Sequence, residues 1–103
     1  MATSVSTKVT FTGNANTNVV DKRCRLTGFL IGGDGSNDPT LTFYDSGTTT
    51  ITGKEEIVPT ATYDASALGL NGALFSFDIW CNEGITIGCA LGAGQAEVVV
   101  YHN

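Results

Sequence analysis

The chain has 103 residues, one domain of ordinary size. A chain this long buries roughly two thirds of its unfolded surface, so it can fold without a disulfide or a metal. Ten acidic residues against five basic ones give a net charge of −5, which repels a polyanion and excludes nucleic acid as the expected partner. Only 15% of the residues are charged while 42% are hydrophobic; Thr, Ser, Asn and 13 glycines fill the remainder, which suits strand faces and tight turns rather than exposed helices.

The first element is read over residues 4–12 (SVSTKVTFT), where Val5, Val9 and Phe11 share one face of a half-buried strand. Residues 13–18 (GNANTN) read as a turn-rich break, and the next strand is placed over residues 19–31. Plain alternation there sets Cys24, Leu26, Gly28 and Leu30 against Arg25, Thr27, Phe29 and Ile31. Both faces become apolar toward the end, as expected of a central strand or of one covered by a partner. Arg23 and Arg25 fall on one face of this strand, and with Lys22 they form the chain's basic cluster, read as a solvated or interface face.

Residues 32–39 (GGDGSNDP) carry a strong turn signal. Residues 40–45 (TLTFYD) alternate with Leu41 and Phe43 inward, and SGTTT makes a loop. A short strand is expected over residues 51–58, with Pro59 at its end or on an edge. Residues 64–69 (DASALG) can form one helical turn, capped by Asp64 and stopped by Gly69. Three closing strands follow at residues 74–80 (LFSFDIW), 85–91 (ITIGCAL) and 97–101 (EVVVY), so the chain is expected to end inside its own sheet. In the first of these, Phe75, Phe77 and Ile79 share a core face, and Trp80 points the other way with Leu74, Ser76 and Asp78. Core packing is the commoner fate of a tryptophan, yet Trp80 is the aromatic placed for an open face or a subunit contact. Seven or eight short strands with a turn about every ten residues point to a β-sandwich or barrel, and a single antiparallel β-sandwich over residues 1–103 is the fold expected.

The chemistry-bearing residues assemble into no recognisable active site. His102 is the one histidine, next to the last residue and expected to be solvated, so nucleophilic catalysis lacks its base. Asp34, Ser36, Asp38 and Asp45 match positions of a calcium loop, but Pro39 replaces the required glycine, and a hairpin loop is the better reading. Glu55 and Glu56 face opposite ways on a strand, while Asp78 and Glu83 flank a turn and are expected to be solvated. Cys24, Cys81 and Cys89 form neither a disulfide framework nor a zinc motif; buried reduced thiols are expected. Cys81 and Cys89, on strands expected to be neighbours, can meet across the sheet. The N-terminus MATSVSTKV lacks the apolar stretch of a secretory signal, and no run is long enough to span a membrane. No catalytic, cofactor-binding or metal-binding residue is assigned.

RLTGFLIGG, a turn, TLTFYDSGTTT, and then NGALFSFDIWCNEGITIGCALGAGQAEVVVY form an ordered series over residues 22–103. Its glycine-bounded apolar pairs (Gly84-Ile85-Thr86-Ile87), glycine turn (Gly92-Ala93-Gly94) and ending Val98-Val99-Val100-Tyr101 resemble small virion proteins of tailed bacteriophages. The resemblance implies a jelly-roll-like β-sandwich used as a capsid decoration (cement) protein, with the major capsid protein as partner and a homotrimeric state. It implies assembly on the virion's capsid surface after synthesis in the host cytoplasm, with no enzymatic activity. The alternative it leaves is a receptor- or carbohydrate-binding module of a head or tail fibre, which an exposed Trp80 or Tyr63 on a polar-rimmed face favours.

Overall fold

The computed structural model describes residues 5–64 and 73–103. Eight strands are formed: β1 (Val5–Phe11), β2 (Ala15–Val20), β3 (Cys24–Gly33), β4 (Thr40–Tyr44), β5 (Glu56–Thr62), β6 (Ala73–Cys81), β7 (Ile85–Ala90) and β8 (Ala96–His102). They make two four-stranded antiparallel sheets in the orders β1-β8-β3-β6 and β2-β7-β4-β5. The expected antiparallel β-sandwich is what forms. The pairings are nested: first with last, second with seventh, third with sixth, fourth with fifth. Residues 64–69, which the sequence allows but does not require to form one helical turn, lie after Asp64 outside the described residues, as does the side chain of Phe77.

The core is the apolar filling between the sheets. Phe11, Leu26, Phe29, Ile31, Val98 and Val100 come from the first sheet, and Leu41, Phe43, Ile85 and Ile87 from the second, all at 2% exposure or less. Phe29 is its centre, stacked on Phe43 at 4.5 Å and on Phe75 at 4.9 Å, with Tyr63 edge-on at 6.4 Å. The molecule is a flat body of 36 × 32 × 18 Å.

Three elements differ from the sequence reading. The stretch read as a break, residues 13–18, contains most of β2. That strand is an edge and pairs only with β7, so Asn16 and Asn18 can face outward without an apolar alternation to announce it. β5 lies further along the chain than expected and contains Pro59, which an edge strand tolerates because one side of its ladder is unpaired.

β3 is the most instructive case. Its register shifts between Leu26 and Gly28 against both β6 and β8. This bulge reverses the alternation, so that Cys24, Leu26, Phe29 and Ile31 all point inward and are buried. Phe29 and Ile31, assigned by plain alternation to the face opposite Leu26, are therefore core residues. Leu30 is left on the outer face, half-buried. Gly28 is needed at the bulge, because a Cβ there would stand 2.6 Å from the Phe75 carbonyl oxygen.

The turn after β6 crosses between sheets rather than forming a hairpin. Gly84 makes the crossing with a φ of 151°. A side chain there would collide with the Val20 carbonyl. Cys81 and Cys89 consequently lie in different sheets and do not meet across one, and the three cysteines are buried and free as expected.

Candidate interaction site

The outer face of the first sheet carries the most exposed aromatic described. Trp80 is 60% exposed. It sits near the end of β6, an edge strand, and is held in register opposite Arg25 of β3. The guanidinium carbons of Arg23 and Arg25 each lie 5.3 Å from the centre of its ring. Arg25 Nε donates to Asp78 Oδ1 at 2.7 Å, and its Nη2 donates to Oδ2, a two-pronged pairing that fixes the fork. This hydrogen bonding holds the Asp78 carboxyl below its ordinary range and raises the Arg25 guanidinium further. Both groups are exposed, so the pair orients side chains more than it stabilises the fold.

The expected alternation of Arg23 and Arg25 against Cys24 and Leu26 is realised: the arginines reach one ring, and Cys24 and Leu26 are buried beneath. The sequence picked out Trp80 and the arginines separately. It did not bring them together, because their contact depends on the pairing of strands more than fifty positions apart. Farther along the same sheet, Leu30 and Val99 are cross-strand partners and are half-buried, rimmed by the Lys8–Glu97 ion pair at 3.4 Å.

Directly under Trp80, on the core side, Cys24 and Cys81 are register partners at 3% and 0% exposure. The Cys81 thiol lies 3.9 Å from the Ile79 carbonyl oxygen, to which it donates. Burial pushes both thiols up, that of Cys81 to about 12, so both are protonated at neutral pH. Cys89 is also buried and free, opposite Ala15 and Leu41 in the second sheet.

The acidic residues examined as ligands turn out to organise loops. Asp34 Oδ1 accepts the backbone N–H groups of Ser36 at 2.9 Å and Asn37 at 2.8 Å, and Oδ2 accepts that of Gln95 at 3.0 Å and the Asn37 amide at 2.9 Å. These donors hold its carboxyl far below the usual range, the Asn37 side chain contributing most. Asp45 serves a different loop. Buried at 6% exposure, it accepts the backbone N–H groups of Asn82 at 2.9 Å, Glu83 at 2.8 Å and Gly84 at 3.3 Å. Asp34 and Asp45 therefore do not share a cation site, and among the described residues no group of three or more His, Cys, Asp or Glu is placed to hold a metal.

Glu83 pairs with Lys54 at 2.6 Å and Asp78 with Arg25, so neither is merely solvated. His102 is likewise not a fraying end: it is the last residue of β8, half-buried, with Nε2 3.0 Å from the Thr7 hydroxyl. Burial, with the nearby Lys22 charge, lowers its pKa.

The outer face of the second sheet has a different character. Threonine hydroxyls pair across β4 and β5, Thr40 with Thr62 at 2.7 Å and Thr42 with Thr60 at 2.6 Å. Thr86 also points outward from β7, yet it is fully buried under the loop after β4, donating to the Thr48 carbonyl at 2.6 Å and accepting from Asn18 Nδ2 at 3.0 Å. No protein-family model matches the chain, and no curated protein matches it.

Proposed function

We propose that this chain is a non-enzymatic virion structural protein, a capsid decoration (cement) protein that binds the outer capsid shell through the Trp80 face. The observation that carries this reading is an exposed tryptophan with two arginine guanidiniums over its ring, in a chain otherwise poor in charge. Trp and Arg dominate the residues that anchor protein–protein contacts, and pre-ordering by Asp78 reduces the side-chain entropy lost on docking. We read the nested strand order as a jelly roll, in keeping with the resemblance to phage decoration proteins.

In this reading the partner is the major capsid protein and the assembling unit is a homotrimer on the capsid surface. The mechanism is interface burial, about 800 Å² per partner in a specific contact. Binding only to the assembled lattice stabilises it by mass action.

The same exposure of Trp80 also favours the second reading, a receptor- or carbohydrate-binding module of a head or tail fibre. Tyr63 does not contribute to it, being packed on Phe29 and Phe75. A sugar stacks on an open ring face, and the two guanidiniums over this ring favour the protein contact.

Co-sedimentation with purified capsid shells separates the two. Trp80→Ala and Arg23→Ala are expected to weaken shell binding about tenfold or more each while leaving the fold intact. Full shell binding by Trp80→Ala overturns the proposal. Glycan-array binding by the wild type that Trp80→Ala abolishes, with no binding to shells, establishes the fibre reading instead.

A further inference from the structure

We propose that Cys24 and Cys81 form a disulfide when the folded protein meets an oxidising environment, a modification site that ties together the two strands presenting Trp80. The pair is in register on adjacent antiparallel strands. Such partners have Cα atoms about 4.5 or 5.5 Å apart, depending on their place in the ladder. Both spacings fall within the range of about 4.4–6.8 Å that a disulfide spans. The side chains share the inward face and are both buried there, so closure needs rotation of side chains and no rearrangement of the sheet. Cys89 lies in the other sheet with Ala15 and Leu41 as its register partners, so no cysteine stands opposite it on a neighbouring strand.

The chemistry balances with a low-molecular-weight disulfide as oxidant. One cysteine, as thiolate, attacks a sulfur of the oxidant and expels one small thiolate. The second cysteine then attacks the mixed disulfide at the protein sulfur and expels the other. Two protein S–H bonds and one small S–S bond become one protein S–S bond and two small thiols, and two electrons pass to the oxidant. Burial and protonation make the first attack slow, so the pair stays reduced in a reducing compartment and closes only on prolonged exposure to an oxidising one.

Placement gives the bond a consequence. Cys24 lies between Arg23 and Arg25, Cys81 follows Trp80, and Arg25 and Trp80 are the next register pair. The bond would thus fix the spacing of β3 and the edge strand β6 just beneath the exposed cluster. That consequence for docking rests on the proposed function; the bond itself does not.

The test uses the intact folded protein, incubated with excess oxidised glutathione at mildly alkaline pH, then denatured and alkylated. The expected result is loss of two alkylatable thiols, a mass lower by two hydrogens, and a linked peptide pair containing Cys24 and Cys81 with Cys89 still alkylated. The oxidised protein is expected to melt several degrees higher than the reduced one, because the link restricts the unfolded chain. Cys89→Ser should behave as wild type, and Cys81→Ser should retain its thiols. Three alkylatable thiols after prolonged oxidation, a link through Cys89, or a persistent glutathione adduct each overturn the proposal. Shell binding measured on the oxidised and reduced forms tests the docking consequence separately.

Discussion

Removing the Asp45 carboxylate should cost this protein a large part of its stability. Asp45 is buried and accepts three backbone N–H groups from the turn that carries the chain from β6 to β7. In Asp45→Ala, the N–H groups of Asn82 and Glu83 can find water, because those residues are exposed. Gly84 is buried, and its N–H is left orphaned, at about 1–3 kcal/mol. Losing hydrogen bonds to a charged acceptor adds a comparable amount, for a total of about 3 kcal/mol. For a domain of this size that lowers the melting temperature by about 12–24 °C. Asp45→Asn keeps one carbonyl oxygen, which at the Oδ1 position still serves Glu83 and Gly84, so its cost should be clearly smaller. Equilibrium denaturation followed by circular dichroism measures both. A loss below about 1 kcal/mol for Asp45→Ala would show that the turn is held by its glycine geometry alone and refute the reasoning.

The bulge in β3 predicts opposite outcomes at adjacent positions. Phe29→Asp and Ile31→Asp should abolish folding, whereas Leu30→Asp should fold, as read by circular dichroism and urea midpoints; equal damage at all three would mean the alternation is not reversed. His102 should titrate below its ordinary pKa in a proton NMR experiment. Because the unfolded chain then binds a proton at a pH where the folded protein does not, His102 contributes stability above the unfolded value near 6.5, lost as pH falls toward the folded value. His102→Gln should flatten that part of the stability profile, and a His102 titration at or above 6.5 would contradict the buried placement.

The parts of this fold that the sequence announced are those where one strand's own alternation carries the information. The closing runs 74–80, 85–91 and 97–101 became β6, β7 and β8, because a strand with a buried face repeats its apolar residues every second position. What was hidden depends on relations between strands. The bulge at Thr27 made a single inward row look like two apolar faces, and only its two neighbours show that the phase reverses. β2 carries no strand signal of its own because Ala15 and Thr17 on one face are small and only partly covered, and Asn16 and Asn18 on the other are polar. The outward phase of Trp80 was legible; its arginine company and the Cys24–Cys81 pair were not, since register between distant strands leaves no local mark.

The strand order also decides when this protein can exist during its own synthesis. β7 and β8, made after the other described strands, occupy interior positions, β7 between β2 and β4 and β8 between β1 and β3. Until both have left the ribosome, β1 and β2 have no partner in either sheet, and the core lacks Ile85, Ile87, Val98 and Val100. Folding of this domain is thereby deferred until β8 has been made, and a chain truncated before β8 presents unclosed sheet edges to proteases rather than a smaller version of the domain.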